Sequence, residues 1–182
     1  MNVIPTEIPG LLILEPKVFG DDRGFFTETF NTQRYGEAGI LRPFVQDNLS
    51  RSIKGTLRGL HFQEPHGQGK LVSCLQGSVY DVAVDVRKGS PHFGKWVAVE
   101  LSGDNHRQFW IPSGFAHGFC VTSESADFFY KCTELYVPQA ERAVAWNDPV
   151  LAIPWPLLAP LLSKKDQAAP HLKDAPRLPL FA

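Results

Sequence analysis

The stretch Val79-Tyr80-Asp81-Val82-Ala83-Val84-Asp85-Val86 decides the fold of this chain. Its even-numbered residues are all apolar and its two aspartates share the other face, which is the period-two pattern of a β-strand. Gly77 marks the turn that leads into it. From Leu11 to Trp146, further short β-branched or aromatic runs are separated by Gly, Pro, Asp or Asn at the spacing of β-sandwiches and barrels. The chain is therefore predicted to be all-β.

Helical signal is confined to two short segments. The first is predicted from Asn31 to Ala38, and the second begins at Ser163-Lys164-Lys165-Asp166, which has the S-x-x-D spacing of a capping box. After Pro149 the sequence is rich in proline and is expected to form coil or turns around the β-core. Because 182 residues suffice for one domain of ordinary size, we expect a single domain over residues 1–182, with an extended arm over 1–30 and an appendage over 149–182.

The charge balance argues against partners that need a strong overall field. The net charge is −1 and the isoelectric point is near 6.6, so neither nucleic acid nor a membrane is expected as a partner. The apolar run from Ile8 to Leu14 contains Pro9 and Gly10 and has no basic residue before it, so we expect neither a signal peptide nor a membrane span. The expected partner is a small molecule or a second copy of the chain.

Three cysteines, Cys74, Cys120 and Cys132, lie in apolar runs without C-x-x-C spacing. An odd number of widely separated cysteines favours reduced, buried thiols over a disulfide framework or a zinc site. A cytoplasmic location is therefore expected.

Three side chains that are costly to bury stand close together in strand-like sequence. Arg58 and His61 lie in the run from Leu57 to Gln63, and Lys70 follows directly after Gly69. A buried cation or imidazole must find a partner or shift its pKa. The grouping therefore predicts a pocket for an anionic ligand beside a base.

The run Pro112-Ser113-Gly114-Phe115-Ala116-His117 matches the P-x-G-x-x-H element of the cupin class of double-sheet barrels. A metal-binding cupin carries H-x-H on the earlier strand, but here that place reads His61-Phe62-Gln63. Too few nitrogen ligands remain for a usual transition-metal site. The expected fold is a cupin-like double-sheet jelly-roll barrel with a few short helices, mainly near the C-terminus, and without a metal.

Four motifs then stand in order: Asp22-Arg23-Gly24-Phe25-Phe26, Gln46-Asp47-Asn48, Leu57-Arg58-Gly59-Leu60-His61-Phe62-Gln63 and Phe115-Ala116-His117-Gly118-Phe119. Together they resemble the dTDP-4-dehydrorhamnose 3,5-epimerase family, from about Ile8 to the Ser163–Asp166 segment. The resemblance implies an isomerase that inverts C3 and C5 of a 4-keto-6-deoxy sugar carried on dTDP, on the route to dTDP-L-rhamnose, without a cofactor.

That chemistry needs a base in contact with a proton next to the ketone, stabilisation of the developing enolate oxygen, and an acid on the other face of the sugar ring. By resemblance, His61 is the base and Asp166 the carboxylate that pairs with it. Tyr130 is the acid. Lys70 is the cation near the keto oxygen, with Asp81 close enough to hold its ammonium.

The resemblance also implies a set of substrate-binding residues. Guanidinium and ammonium groups suit phosphate oxygens, an aromatic ring suits thymine, and amides and carboxylates suit sugar hydroxyls and base edges. Arg23, Arg58 and Lys165 are expected to meet the diphosphate or the sugar, and Tyr136 the thymine ring. The remaining expected contacts are Lys70, Glu28, Gln46, Asp47, Asn48, His117 and Glu141.

Structural explanations compete with several of these roles. A histidine in a core is more often simply hydrogen-bonded, and Asp166 also completes a capping box. Tyr130 fits a packing aromatic, and Lys70 a plain salt bridge. Glu141 lies in an ordinary polar turn.

Strand parity predicts which side chains near the C-terminal end of the barrel face the same way. A strand is predicted over Asp127 to Tyr136, in which Tyr130, Cys132, Glu134 and Tyr136 share one face, so that two tyrosines look into one space.

In a regular strand Arg58 and His61 would face opposite sides, yet the hypothesis needs both in one cavity. Gly59 is therefore expected to form a bulge or bend that breaks the alternation between them.

Other functions remain open from the sequence. An epimerase acting at C3 alone, or a ketoisomerase acting on the same nucleotide sugar, would keep the same base and acid. A non-catalytic sugar-binding β-sandwich would use these side chains only as contacts. A metal-dependent cupin oxygenase ranks last because Gln63 replaces the second histidine.

By resemblance the chain is expected to form a homodimer. Pro5, Pro9 and Pro16 keep the N-terminal arm extended and poor at pairing within one sheet. Residues of the arm such as Arg23 and Glu28 are then expected to reach the neighbouring subunit's site.

Overall fold

Thirteen strands account for most of the regular structure in the computed structural model, which describes residues 1–181. They form two packed sheets and a separate hairpin. The first sheet has six strands in the spatial order β1 (Asn2–Pro5), β2 (Leu12–Glu15), β10 (Gln108–Ile111), β7 (Lys70–Gln76), β12 (Ser125–Cys132) and β5 (Gln46–Ile53). The second has five, in the order β13 (Glu141–Ala143), β6 (Leu57–Gln63), β11 (Phe115–Val121), β8 (Ser78–Asp85) and β9 (Trp96–Ser102). The hairpin consists of β3 (Val18–Asp21) and β4 (Gly24–Thr27). The predicted all-β, double-sheet, cupin-like fold is confirmed.

Both helices lie in the segments predicted for them. Helix α1 (Thr32–Glu37) begins after Asn31, whose side chain accepts hydrogen bonds from the second and third backbone N–H groups of the segment. Helix α2 (Lys164–Gln167) follows Ser163, whose hydroxyl accepts from the N–H of Asp166. Short 3₁₀ segments occur at Pro138–Ala140 and Leu172–Asp174. No helix among residues 1–181 is long and apolar enough to cross a membrane.

Strand β8 is buried on both faces, and the two faces divide as the alternation predicts. Val79 and Ala83 point between the two sheets, whereas Val82 and Val84 point outward. The outward side chains pack against the C-terminal segment, for example against Leu151. The appendage therefore covers the outer face of the second sheet.

Strand β12 is shorter than predicted. It ends at Cys132, which lies opposite Gln46 of β5 on one side and opposite Lys70 of β7 on the other. Those two residues are the first of their strands, so the ladder ends here, followed only by one backbone bond from the Thr133 N–H to the Gly69 carbonyl at 2.9 Å. The predicted extension to Tyr136 is wrong, and Glu134 does not share a strand face with Tyr130.

Gly59 breaks the alternation of β6. In the pairing with β11, His61 lies opposite His117 and Arg58 lies opposite Phe119, so two residues of β6 face the single residue Gly118. This β-bulge turns Arg58 and His61 to the same side of the sheet. The predicted bend is confirmed.

The bulge requires glycine at position 59. Its backbone φ is +136°, and a Cβ placed there would lie 2.5 Å from the Cα of Gly118 and 2.9 Å from the carbonyl oxygen of His117. Both neighbours are backbone atoms of a central strand, so neither can move aside without disturbing the ladder. The alternation of the sequence and the crowding of the backbone therefore both point to glycine at position 59.

We predict that Gly59→Ala lowers the free energy of unfolding by about 3 kcal/mol or more, because the added methyl group overlaps backbone in the sheet. Gly55→Ala is the matched control, since Gly55 also has positive φ but a Cβ there would meet nothing within 4 Å. The control should lose only about 1 kcal/mol through backbone strain. Urea unfolding measures both, and equal losses would contradict the crowding argument.

Candidate active site

Two adjoining cavities open between the sheets and share three side chains, those of His61, Lys70 and Tyr130. The first has a volume of about 310 Å³ and the second about 240 Å³. The first is lined in addition by Gln46, Asn48, Phe62, Gln63, Gln68, Tyr136 and Glu141. The second is lined in addition by Ser50, Arg58, His117, Phe119, Phe128, Ser163, Lys165 and Asp166. The three shared groups stand where the cavities meet.

The shared groups come from both walls of the barrel. His61 lies on β6 of the five-stranded sheet, whereas Lys70 begins β7 and Tyr130 lies on β12 of the six-stranded sheet. An imidazole and a phenol therefore face one space from opposite sides. A flat ring held between them would present one face to each.

His61 is paired with the carboxylate of Asp166. The His61 Nε2 atom lies 2.5 Å from Asp166 Oδ1, and the aspartate is buried. The Ser163 hydroxyl donates to Asp166 Oδ2 at 2.7 Å and also accepts from the Asp166 backbone N–H at 3.1 Å. Asp166 therefore both completes the capping box and orients the histidine ring.

The pKa of Asp166 lies below its ordinary value of 3.8. Burial acts to raise it, but the hydrogen bonds from His61 and Ser163 stabilise the charged form more strongly. The carboxylate therefore stays ionised beside the imidazole.

Lys70 has its ammonium in a desolvated position. Burial lowers the pKa of Lys70, while the nearby Cys132, Asp81 and Glu141 oppose that shift. Within residues 1–181 its ammonium makes no ion pair shorter than 4.0 Å. A cation poised in this way is available to an oxygen of a ligand.

Asp81 does not hold Lys70 as predicted. Its Oδ2 lies 2.8 Å from Nε2 of His117, and its Oδ1 is buried without a hydrogen-bond partner in the described chain. The prediction of direct pairing is wrong because His117, on the neighbouring strand β11, lies closer and takes the carboxylate. Burial raises the pKa of Asp81, whereas His117 and then Lys70 act to lower it.

His117 forms part of the floor of the second cavity. Its ring is stacked on Phe128, with centroids 5.9 Å apart, and it is almost fully buried. Asp81 fixes one edge of the ring, so the imidazole is held in one orientation. His117 therefore belongs to the lining of the second cavity.

Tyr130 packs against the core through Phe128, yet its ring also lines both cavities. Burial raises the pKa of Tyr130; Cys132 adds to this and the Arg58 guanidinium opposes it. The phenol is thus protonated at neutral pH and able to donate a proton.

A second group of polar side chains lies at the mouth of the first cavity. Tyr136 donates its hydroxyl to Glu141 Oε2 at 2.6 Å, and Lys165 forms an ion pair with the same carboxylate oxygen. Burial acts to raise the pKa of Glu141, but the bonds from Lys165 and Tyr136 hold it below its ordinary value. Tyr136 and Tyr130 both face the first cavity, as predicted.

The Gln46-Asp47-Asn48 run divides between two faces of β5. Gln46 and Asn48 line the first cavity, where the Gln46 amide donates to Asn48 Oδ1 at 3.0 Å. Asp47 points to the outer face, pairs with Lys131 at 2.9 Å and lines a separate surface groove. Asp47 thus lies outside both cavities, unlike Gln46 and Asn48, because alternate residues of a strand face opposite sides.

Arg58 enters the second cavity and donates from Nε to the Ser52 hydroxyl at 3.1 Å. Arg23 and Glu28 stay outside both cavities. Arg23 is 88% exposed and pairs with Asp21 in the β3–β4 hairpin, and Glu28 pairs with Arg34 at 2.7 Å.

Several lining residues were not predicted. Ser50 follows Asn48 at strand spacing, so the parity of β5 would have found it. Gln68 lies in the β6–β7 connection, where no periodic signal exists. The sequence identified Gln63 only as the residue that stands in place of a metal-binding histidine. Within residues 1–181, no group of three or more His, Cys, Asp or Glu side chains is placed to hold a metal ion.

The sequence profile described as dTDP-4-dehydrorhamnose 3,5-epimerase matches residues 5–174. A Shigella flexneri protein named dTDP-4-dehydrorhamnose 3,5-epimerase is 59% identical over 96% of this chain and 98% of its own length. A Streptomyces niveus protein named dTDP-4-dehydrorhamnose 3-epimerase is 41% identical over 100% of this chain and 90% of its own length.

A solved structure is similar over the whole chain. It is a dTDP-6-deoxy-D-glucose-3,5-epimerase from Legionella pneumophila in complex with dTDP-4-keto-L-rhamnose. It superposes with a TM-score of 0.97 at 57% identity, covering 100% of this chain and 98% of the other.

The fold is a double-sheet barrel, and its cavities place an imidazole and a phenol on facing walls with an ammonium beside them. These features define the class of the protein as a cupin-like isomerase, because such groups suit proton transfer. The profile match and the identities make the assignment specific. This chain belongs to the dTDP-4-dehydrorhamnose 3,5-epimerase family.

We predict that Asp166→Asn lowers the free energy of unfolding at neutral pH by about 2 kcal/mol, through loss of a charged hydrogen bond. Because the folded-state pKa of Asp166 lies below 3.8, its stabilisation is present above that pH and is lost as the pH falls through the folded value. The difference in free energy of unfolding between Asp166→Asn and the wild type, measured by urea unfolding, should therefore become smaller below pH 3.8. A difference that stays the same down to pH 3 would contradict this account.

Proposed function

We propose that this chain inverts C3 and C5 of dTDP-4-dehydro-6-deoxy-glucose to give dTDP-4-dehydro-L-rhamnose, a step of dTDP-L-rhamnose biosynthesis. One observation carries the proposal: His61 and Tyr130 face a common cavity from opposite sheets, with the Lys70 ammonium in the same lining. Inversion needs removal of a proton from one face of the sugar and return of a proton to the other.

In the proposed reaction, neutral His61 takes the proton from the carbon next to the ketone, and the electron pair moves to the keto oxygen. Asp166 keeps the ring aligned and stabilises the imidazolium that forms. Lys70 meets the enolate oxygen, where negative charge develops. Tyr130 then gives its phenolic proton to the opposite face of the carbon. The imidazolium of His61 releases its proton to solvent and the Tyr130 phenolate takes one up, so both groups are restored.

No redox partner is required by this scheme, because a proton leaves and a proton returns at the same carbon. The oxidation state of the sugar is unchanged at the end. We therefore propose a reaction without a cofactor. A cytoplasmic location is also proposed, since Cys74, Cys120 and Cys132 are free thiols, all buried.

Substrate binding is assigned to the polar lining of the two cavities. Arg58 and Lys165 suit the diphosphate or the sugar, and Tyr136, about half exposed at the mouth of the first cavity, suits the thymine ring. Gln46, Asn48, His117 and Glu141 supply the remaining polar contacts in this proposal.

A homodimer is proposed as the working form. The β3–β4 hairpin exposes Phe25 and Phe26 to 63% and 68%, which is unfavourable for an isolated chain. Docking of the hairpin on a second copy would bury these rings and bring Arg23 and Glu28 toward the neighbouring site. Arg23 would there meet the diphosphate.

Inversion at C3 alone is the second candidate, because the Streptomyces niveus relative carries the name of a 3-epimerase. The same base and acid serve either outcome. The two reactions differ in which carbons exchange protons.

We predict that the wild-type protein, given dTDP-4-dehydro-6-deoxy-glucose in deuterated water, incorporates deuterium at both C3 and C5 of the product. Tyr130→Phe should lower the rate of epimerised product by about 10²-fold or more, because the proton donor is missing. NMR of the nucleotide sugar locates the label. Tyr80→Phe is the matched control, since Tyr80 packs on the outer face against Trp155.

Each alternative has its own outcome in that experiment. Deuterium at C3 alone identifies a 3-epimerase, and a product with the ketone at another carbon identifies a ketoisomerase. Binding without any label at C3 or C5 would refute the proposal in favour of a sugar-binding protein. Equal losses in Tyr130→Phe and Tyr80→Phe would remove the phenol from the mechanism.

We predict that the dimer contains sites completed by the partner's arm. Arg23→Ala and His61→Asn should each inactivate the protein, but a mixture reassociated at equal concentration should recover about a quarter of wild-type activity. About half of the dimers are then mixed, and one of the two sites in each is intact. Recovery of no activity, with the mixed dimer verified by tagged subunits and Arg23→Ala inactive by itself, would place Arg23 within its own subunit's site. Full activity of Arg23→Ala alone would place Arg23 outside the site.

A further inference from the structure

The segment from Thr133 to Val137, here called the 133–137 loop, carries Tyr136 into the first cavity. It begins where β12 runs out of neighbouring strands at Cys132. Among residues 1–181, Leu135 and Tyr136 form no backbone–backbone hydrogen bond. The position of Tyr136 therefore does not come from the sheet.

Side-chain amides of three glutamines hold this loop instead. Gln68 donates to the carbonyl of Glu134 at 2.8 Å, and Gln46 Oε1 accepts from the N–H of Tyr136 at 2.8 Å. Gln63 makes two bonds to the loop: its Nε2 donates to the carbonyl of Leu135 at 3.1 Å, and its Oε1 accepts from the N–H of Val137 at 2.7 Å. Four consecutive residues of the loop are thus bound by amides from three different segments.

Gln63 is the central member of this set. It is 4% exposed, and its second N–H donates to the carbonyl of His66 at 2.8 Å. Both donors of the amide and one acceptor position are therefore used within the protein. Although Gln63 lines the cavity, its amide has no donor left for a ligand.

We propose that Gln63 is a positioning residue that fixes Tyr136 for contact with the nucleoside end of the substrate. This inference rests on the proposed function for the identity of the ligand. Gln63 acts through the loop and does not itself touch the sugar nucleotide.

The position of Gln63 on β6 connects the 133–137 loop to the strand that carries His61. His61 and Gln63 are separated by one residue, so both side chains project to the same side of the strand, and Gln63 also lies opposite Glu141 of β13. The strand that carries the base thus also holds the loop that carries Tyr136. The distance between the reacting carbon and the bound base ring of the nucleotide is set by one rigid element.

We expect Gln63→Met, which keeps the length of the side chain but removes its three hydrogen bonds, to weaken binding of dTDP by about tenfold. The KM for dTDP-4-dehydro-6-deoxy-glucose should rise similarly, with kcat within about twofold of wild type. Calorimetry with dTDP and steady-state kinetics measure the two effects. Gln33→Met is the matched control, since Gln33 lies on exposed α1 and bonds only to Glu37 and its own helix cap.

A double-mutant cycle with Tyr136→Ala separates positioning from direct contact. If Gln63 acts through Tyr136, then Gln63→Met adds almost nothing to the loss in dTDP affinity already caused by Tyr136→Ala. Losses that multiply, or a lower kcat with unchanged KM, would overturn the inference. Because Gln63→Met removes buried hydrogen bonds, Gln68→Met provides a second variant that loses only the bond to Glu134 and should show the same non-additivity with a smaller loss.

Amide hydrogen exchange keeps this test independent of the proposed reaction. Exchange at the Val137 N–H should quicken in Gln63→Met and stay unchanged in Gln33→Met, whether or not the protein turns over the sugar nucleotide. Unchanged Val137 exchange would overturn the inference. If the wild-type protein bound dTDP but did not epimerise the sugar nucleotide, the proposed function would be refuted, whereas the positioning role of Gln63 would be unaffected.

Discussion

The active-site geometry depends on the close contact between two glycine backbones, Gly59 in β6 and Gly118 in β11. The contact accommodates an extra residue in β6, and that residue brings Arg58 to the same side as His61. Without it, strand alternation would turn the guanidinium to the outer side of the sheet, which the C-terminal segment covers. The cavity therefore contains the Arg58 guanidinium because of a bulge in the strand, and the bulge is tolerated because neither glycine has a side chain.

The two sheets supply different chemical groups for the proposed reaction. The five-stranded sheet holds His61 and His117, each with an aspartate partner, and the six-stranded sheet holds Lys70 and Tyr130. Carboxylates accordingly support the imidazoles, while the Lys70 ammonium and the Tyr130 phenol face the cavity and form no salt bridge within residues 1–181. In the proposed reaction the base therefore comes from one sheet, and the acid and the cation at the keto oxygen come from the other.

The sequence was informative where the pattern is local. The alternation around Asp81, the capping box that begins at Ser163, and the glycine between Arg58 and His61 each specify the local structure directly. Prediction failed where a third segment decides the outcome. The end of β12 is set by where β5 and β7 begin, and the partner of Asp81 is set by the register of β11, neither of which can be read from the residues themselves.

The carboxylate that supports His61 belongs to the segment that follows the barrel. Among residues 1–181, all thirteen strands are complete by Ala143, but Asp166 comes more than twenty residues later, in α2. Because synthesis runs from the N-terminus, the strand that carries His61 is made well before the residue that pairs with it. The pair forms only when the C-terminal segment docks on the barrel, and Lys165 reaches the second cavity in the same event.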